Sequence, residues 1–220
     1  MPLHKTEKFI SGTGFFANIV NKPFELGMVL YRDDQKFNIW GKLEDLIPGF
    51  SLTNKFSSTS NANLNFNTQS SIEVNVGTSA SSNPIKGEVQ IKFTKMRTGF
   101  IVLKNVVTQS LNLGLIENEV KELWAERGFD KAGNRRKYVV ITSLLKAETG
   151  SIIYSEEKNN TVILKANNNI PLSSLNVVAE ANVEYITNTK ATLELFSTNP
   201  FSPLFSAHRL RANGRFEDIS

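Results

Sequence analysis

The chain has 220 residues, 40% hydrophobic and 21% charged, with a net charge of +4 and a pI near 9.2. That length can bury a substantial core and that composition excludes a disordered chain, while the mild basic bias suits an anionic membrane surface or nucleic acid without selecting either. Cysteine is absent, which excludes disulfides, thiolate metal sites and a cysteine nucleophile.

The start, Met1-Pro2-Leu3-His4-Lys5-Thr6-Glu7-Lys8, has no apolar core segment of the secretory kind, so no secretory signal is expected. No apolar run approaches the roughly 18 residues of a membrane-spanning helix, so any membrane role is expected through β-structure or a surface-lying segment. Residues 6–20 mix Phe9, Ile10, Phe15, Phe16, Ile19 and Val20 with Gly12 and Gly14. They predict a short amphipathic helix weakened by its glycines. Residues 24–31 and 37–40 predict two short strands, joined by Arg32-Asp33-Asp34-Gln35. Residues 43–47 predict a helical turn stopped by Pro48-Gly49.

From residue 61 to 77 the chain alternates strictly. Even positions carry Ala62, Leu64, Phe66, Thr68, Ser70, Ile72, Val74 and Val76, and odd ones Asn61, Asn63, Asn65, Asn67, Gln69, Ser71, Glu73, Asn75 and Gly77. Successive strand side chains point to opposite faces, so one face is largely apolar and the other polar. After the turn-rich stretch 78–84, Val89, Ile91 and Phe93 resume the pattern against Glu88, Gln90 and Lys92. Residues 61–94 are therefore expected to form one long β-hairpin.

Leu115, Ile116, Val120, Leu123 and Trp124 recur at helical spacing and Gly128 follows, which predicts a helix over 115–127. Residues 138–145 predict a strand buried on both faces, and 152–154 a short apolar piece. Residues 161–166 alternate again and lead, through Asn167-Asn168-Asn169 and Pro171, to a second long run. There Val177, Ala179, Ala181, Val183 and Tyr185 stand against Asn176, Glu180, Asn182 and Glu184. A second hairpin is expected over 161–196.

Ordinary strands have about 5–6 residues, whereas a barrel strand that spans a membrane needs roughly 9–11 with this alternation. Both runs suffice, and the tip 78–84 carries no charge that would resist desolvation. The leading expectation is a pore-forming protein. Its lipid-facing residues would be Leu64, Phe66, Ile72, Val74, Val76, Val89, Ile91, Phe93, Val177, Ala179, Ala181, Val183 and Tyr185. The alternative is a soluble β-rich lipid- or ligand-binding protein whose apolar faces line a core or cavity.

Enzymatic signals are poor. His4 and His208 are the only histidines, and no spacing offers them partners for a triad or a zinc site. Gly12-Thr13-Gly14 lacks the lysine and third glycine of a phosphate loop. No catalytic residue, cofactor or metal is expected. Lys131, Arg135, Arg136 and Lys137 form the densest basic cluster and are expected to meet anionic lipid head groups. No aromatic platform is interleaved with them, so nucleic acid is not expected.

The segment Phe24-Glu25-Leu26-Gly27-Met28-Val29-Leu30, then Phe37-Asn38-Ile39-Trp40-Gly41-Lys42-Leu43-Glu44-Asp45-Leu46, resembles the early strands of gasdermins, especially the compact bacterial ones. Those proteins similarly have a hairpin, then G-x-L-x-x-L, then a Ser/Asn-rich amphipathic run. Tyr138-Val139-Val140-Ile141-Thr142-Ser143-Leu144-Leu145 is similar to their central strand. Pro203-Leu204-Phe205-Ser206-Ala207-His208-Arg209-Leu210 is similar to the strand that closes their pore-forming domain. The resemblance spans nearly the whole chain and is carried by pattern and order, without an exact signature.

It implies a single α+β pore-forming domain over residues 1–220, with a twisted, mainly antiparallel sheet, a few helices and two long amphipathic hairpins. Such a domain would rest in the cytoplasm, insert into the inner cell membrane when active, oligomerise there and kill its host cell, in bacteria as an anti-phage response. Its partners would be membrane lipids and further copies of itself, with an inhibitory segment and an activating protease outside this chain. Two departures matter. Bacterial gasdermins usually carry an acylated cysteine near the N-terminus, and this chain has none. They also carry a short inhibitory C-terminal segment, whereas this chain ends at Asp218-Ile219-Ser220. The expectation is either a released active fragment or a different mode of control.

Overall fold

A computed structural model describes residues 8–10, 14–18, 22–33, 36–67, 72–77, 88–96, 98–155, 157–166, 183–187, 192–197, 199–211 and 213–219. In chain order the elements are β1 (Lys8–Ile10), β2 (Phe15–Ala17), β3 (Met28–Asp33), β4 (Lys36–Lys42), α1 (Leu43–Leu46), β5 (Phe56–Asn67), β6 (Ile72–Gly77), β7 (Glu88–Phe93) and β8 (Thr98–Leu111). A 3-10 turn (Leu113–Leu115) and α2 (Glu117–Arg127) follow. The chain then runs through β9 (Tyr138–Ala147), β10 (Thr149–Ser155), β11 (Asn160–Ala166), β12 (Val183–Thr187), β13 (Thr192–Ser197), β14 (Phe201–Leu210) and β15 (Phe216–Asp218). Eleven strands form one sheet and four, in the order β12-β11-β7-β6, a second. Every described pairing is antiparallel. The protein is β-rich with few helices.

One ladder organises both sheets. It begins where Ser110 pairs with Ser143 and Val107 with Lys146, between β8 and β9. It continues where Lys104 pairs with Thr149 and Thr98 with Ser155, between β8 and β10. It resumes in the small sheet, where Phe93 pairs with Asn160 and Glu88 with Lys165. Phe93 and Thr98 stand as far apart in the chain as Ser155 and Asn160, so both sheets share one register offset. The outer strands bend with it. Asn67 pairs with Phe100 in the large sheet and Ile72 with Phe93 in the small one, a shift of two residues. An even shift leaves each residue on its own face of the pleat.

The two long runs thus fold differently from the expectation. Residues 61–94 do not close on themselves as one straight hairpin: β6 and β7 pair with each other, but β5 pairs onward along β8, with Asn61 opposite Val106, so the pairing extends past residue 94 and divides between the two sheets. The physical reason is β8, whose Phe100, Ile101, Val102 and Leu103 are buried on both faces and supply a long central partner. Residues 161–196 divide in the same way. β12 pairs with β11 in the small sheet, while β13 pairs with β10 in the large one.

The helix expected over 6–20 is also corrected. β1 and β2 pair as a tight hairpin, Ile10 opposite Phe15, with Gly14 at φ +74°. Glycine takes that conformation freely and weakens a helix, so both effects favour the turn. Phe16 then stacks on Phe205, with ring centroids 5.5 Å apart. The other local expectations hold with small changes of boundary. β3 and β4 pair, α1 is one turn, and β9 and β10 stand where the apolar runs lie. In α2 the face formed by Val120, Leu123 and Trp124 is buried together with the preceding Ile116, while Leu115 lies outside the helix and is exposed. Gly128 at φ +68° ends the helix.

The core lies on both sides of β9. On one side Phe16, Phe24, Phe37 and Phe205 pack with Leu30, Val139, Ile141 and Leu144. On the other, α2 lays Val120, Leu123 and Trp124 against Val29 and Val140. A third cluster joins Ile101, Leu103, Ile152 and Tyr154 to Leu145 and Leu204, with Leu64 packed at its margin.

Candidate functional site

The small sheet folds over the end of the large one. Its Ile72, Ile91, Phe93 and Val162 pack on Phe100, Val102 and Ile153 of β8 and β10. Ile91, Phe93 and Val162 are completely buried there. Of the residues expected to face lipid, Ile72, Ile91 and Phe93 are therefore covered by the protein itself. Val74 pairs in register with Ile91, and Val76 with Val89. Leu164 pairs with Val89 and with Tyr185, and Val183 with Ala166, so the apolar positions form rows across the four strands. Phe66 lies on β5 opposite Ile101. Val177, Ala179 and Ala181 lie outside the described residues.

The opposite face of the small sheet is polar. Glu73 and Lys92 pair in register, and Lys92 Nζ lies 3.0 Å from Glu73 Oε2. Both side chains are about half exposed, which makes the pair a weak surface contact worth roughly 0–1 kcal/mol. Gln90 pairs with Asn75, and Glu88 with Lys165. Buried Ile72, Ile91, Phe93 and Val162 beside half-exposed Glu73 and Lys92 follow the amphipathic pattern that the alternation predicts.

Short polar contacts hold the bend on both strands. Thr98 Oγ1 donates to the Lys95 carbonyl at 2.8 Å. Ser155 Oγ donates to the Glu157 carbonyl at 3.0 Å and accepts from Asn160 Nδ2 at 3.0 Å. Asn159 takes a left-handed φ of 59° between them. Ser155 and Asn160 are buried, and Asn160 Oδ1 has no hydrogen-bond partner among the described residues. A buried unpaired carbonyl costs free energy, so Asn160 is retained in the bend at a local cost.

The basic cluster sits in the turns between α2 and β9. Asn134 Nδ2 donates to the Gly128 carbonyl at 3.1 Å, and Phe129 stacks on Tyr138 with centroids 3.7 Å apart, so the loop is tightly wound. The structure does not gather the four cations into one patch. The Lys131 stem runs along Gly128, and Lys137 Nζ lies 5.9 Å from the Tyr31 ring centre. Arg135 and Arg136 turn instead toward a surface cavity of about 390 Å3, shared with Arg209, Arg211, Asn213 and Glu217.

The last four residues were not singled out by sequence reasoning. Arg209 and Arg211 stand two apart on a strand, and the turn at Gly214 (φ +81°) returns Glu217 opposite Arg209. Two arginines in that spacing before a glycine turn and a glutamate were the available signal. Arg209 Nε donates to Glu217 Oε2 at 2.8 Å and Arg211 Nη2 donates to Glu217 Oε1. Together they hold the Glu217 carboxyl at about 2, well below its ordinary 4.5, with the Arg211 bond the larger cause. His208, the one histidine among the described residues, lies 2.6 Å through Nδ1 from Thr142 Oγ1. Burial lowers its pKa, partly opposed by Asp218. No group of acidic residues or histidines that could hold a metal is present among the described residues.

Comparison with protein-family models gives no match, and no curated protein matches the chain.

Proposed function

We propose that this protein permeabilises membranes as a gasdermin-like pore-forming domain, assembling from many copies into a closed β-barrel. The observation that carries this reading is the unbroken register running from Ser110 and Ser143 through the bend to Glu88 and Lys165. Straightening residues 94–97 and 156–159 would make one continuous ribbon without breaking and re-forming the ladder at a new offset. Residues 88–110 would then extend roughly 75 Å at about 3.3 Å per residue, more than twice the roughly 30 Å of hydrocarbon.

The ribbon already has the four-strand order that two hairpins per subunit require. β6 continues β5, β7 precedes β8, β11 follows β10 and β12 precedes β13. In the straight form the face carrying Ile72, Ile91, Phe93 and Val162 loses its cover of Phe100, Val102 and Ile153 and meets lipid. The face carrying Glu73 and Lys92 meets a water-filled lumen. A closed barrel is needed because unpaired strand edges cannot be satisfied in hydrocarbon. β6 and β12 form the edges of the small sheet among the described residues, which offers one edge to each neighbouring copy. On this reading Lys131 and Lys137, with Arg135 and Arg136, meet anionic head groups, no residue is catalytic, and a cell-death role in anti-phage defence follows by the resemblance.

Dye release from liposomes containing anionic lipid, with electron micrographs of the same sample, tests the proposal. Release accompanied by rings supports it. A monomer that leaves the vesicles sealed favours the soluble lipid- or ligand-binding alternative.

A further inference from the structure

We propose that the cavity between the α2–β9 loop and the β14–β15 turn binds a phosphate group of two or more negative charges, carried by a soluble compound or by a lipid head group. The inference deepens the assignment of Arg135 and Arg136 to anion contact and rests on it. Four guanidinium groups and one carboxylate line the cavity, an excess of three positive charges. All four cations are arginine, although Lys131 and Lys137 lie in the same loop. The planar guanidinium fork matches phosphate oxygens in pairs, which an ammonium group cannot do.

The donors that face the cavity are not spent. Arg136 makes no hydrogen bond or ion pair among the described residues. Arg135 uses only Nε, donating to the Asp130 carbonyl at 2.8 Å. Arg209 engages Glu217 through Nε and Arg211 through a single Nη2, which leaves further N–H groups on both. Asn213 Oδ1 accepts from the Arg215 backbone N–H at 3.1 Å, so its amide NH2 is available to donate. Glu217 fixes Arg209 and Arg211 in place before any ligand arrives, so less side-chain entropy is lost on binding. A volume of about 390 Å3 admits a diphosphate or a phosphorylated head group.

The test uses the full chain and two kinds of probe. Calorimetric titration with inorganic pyrophosphate at physiological ionic strength reads the soluble source. Flotation with phosphatidylcholine vesicles containing either phosphatidic acid, a monoester, or phosphatidylglycerol, a singly charged diester, reads the lipid source. Arg136→Gln removes no hydrogen bond or ion pair among the described residues, and its melting temperature serves as the check. It should weaken whichever interaction is found by at least about tenfold. Arg215→Gln, in the adjoining turn but outside the lining, should change it less than about twofold. Pyrophosphate binding that depends on Arg136 supports the site with a soluble ligand. Preference for phosphatidic acid over phosphatidylglycerol, lost in Arg136→Gln, supports it with a lipid. Equal losses in the two variants, or no binding of pyrophosphate together with equal flotation on both lipids, overturns it. Intact phosphate binding with sealed liposomes would support the site and count against the pore alone.

Discussion

The strands around β9 and the four strands of the small sheet are both β-structure, yet they are held in different ways. Val139, Val140, Ile141 and Leu144 of β9 are buried between an aromatic cluster on one side and α2 on the other. The small sheet packs Ile72, Ile91, Phe93 and Val162 on Phe100, Val102 and Ile153, while Glu73 and Lys92 are about half exposed. Regions with fewer buried apolar contacts open at lower free energy than the global fold. The proposed pore reading therefore requires the small sheet to come away while the body stays folded.

The largest expected effect is in the body. Phe205 is fully buried, stacked on Phe16 and edge-on to Phe24 and Phe37. Phe205→Ala should cost about 3–5 kcal/mol of global stability. Urea denaturation measures it, and a loss under about 1 kcal/mol would contradict the assignment of the core to this cluster. Ile91→Ala removes a comparably buried side chain from the small sheet. Hydrogen exchange should then rise in residues 72–77, 88–93 and 160–166 well before it rises in β9.

Charge on the two faces sharpens the contrast. An arginine at mid-membrane on a lipid-facing strand costs about 2–4 kcal/mol in each subunit. Val74→Arg, in register with Ile91, should abolish dye release, whereas Asn75→Arg, in register with Gln90, should leave it nearly unchanged. Equal damage from both would refute the orientation of the faces.

The bend comes next in magnitude. Asn160→Ala removes the hydrogen bond to Ser155 Oγ, worth about 0.5–1.5 kcal/mol, together with a buried unpaired carbonyl that costs about 1–3 kcal/mol, so the two terms oppose. Global stability should change by less than about 1 kcal/mol. Release of the bend should nonetheless make dye release faster, as stopped-flow fluorescence would read. Slower release would show that the bend does not restrain the ribbon.

The smallest effect is on pH dependence. Glu217 is held at about 2 against an ordinary 4.5, first by Arg211 and then by Arg209. Folding favours its charged form, so that stabilisation is complete above about 4.5 and is lost as pH falls toward about 2. Wild type and Glu217→Gln should differ most at neutral pH and converge toward about pH 2 in urea midpoints. A constant difference across that range would contradict the ion-pair origin.

Much of this architecture is legible locally. The face of Val120, Leu123 and Trp124, the strand at 138–145 and the glycine that ends α2 follow from spacing and backbone preference. Partner choice is not legible. Alternation has a period of two, and the register shifts by two between Asn67 and Ile72, so the apolar positions stay in phase across the bend. Leu64 and Ile72 look alike in sequence, yet Leu64 packs beside Ile101 and Ile72 beside Phe100, on opposite faces of β8. The arginine cavity was hidden for a related reason. Arg135 and Arg209 are brought together only because β14 pairs with β9 and carries its turn to the α2–β9 loop.

The absence of native cysteine allows the central claim to be tested with single labels. An environment-sensitive fluorophore would be placed on a cysteine at Val74, Asn75, Val89 or Gln90, and the protein mixed with liposomes carrying a nitroxide quencher in the acyl chains. A ribbon that straightens into a barrel predicts strong quenching at Val74 and Val89 and little at Asn75 and Gln90. Quenching at none of the four, or to the same degree at all of them, would contradict it.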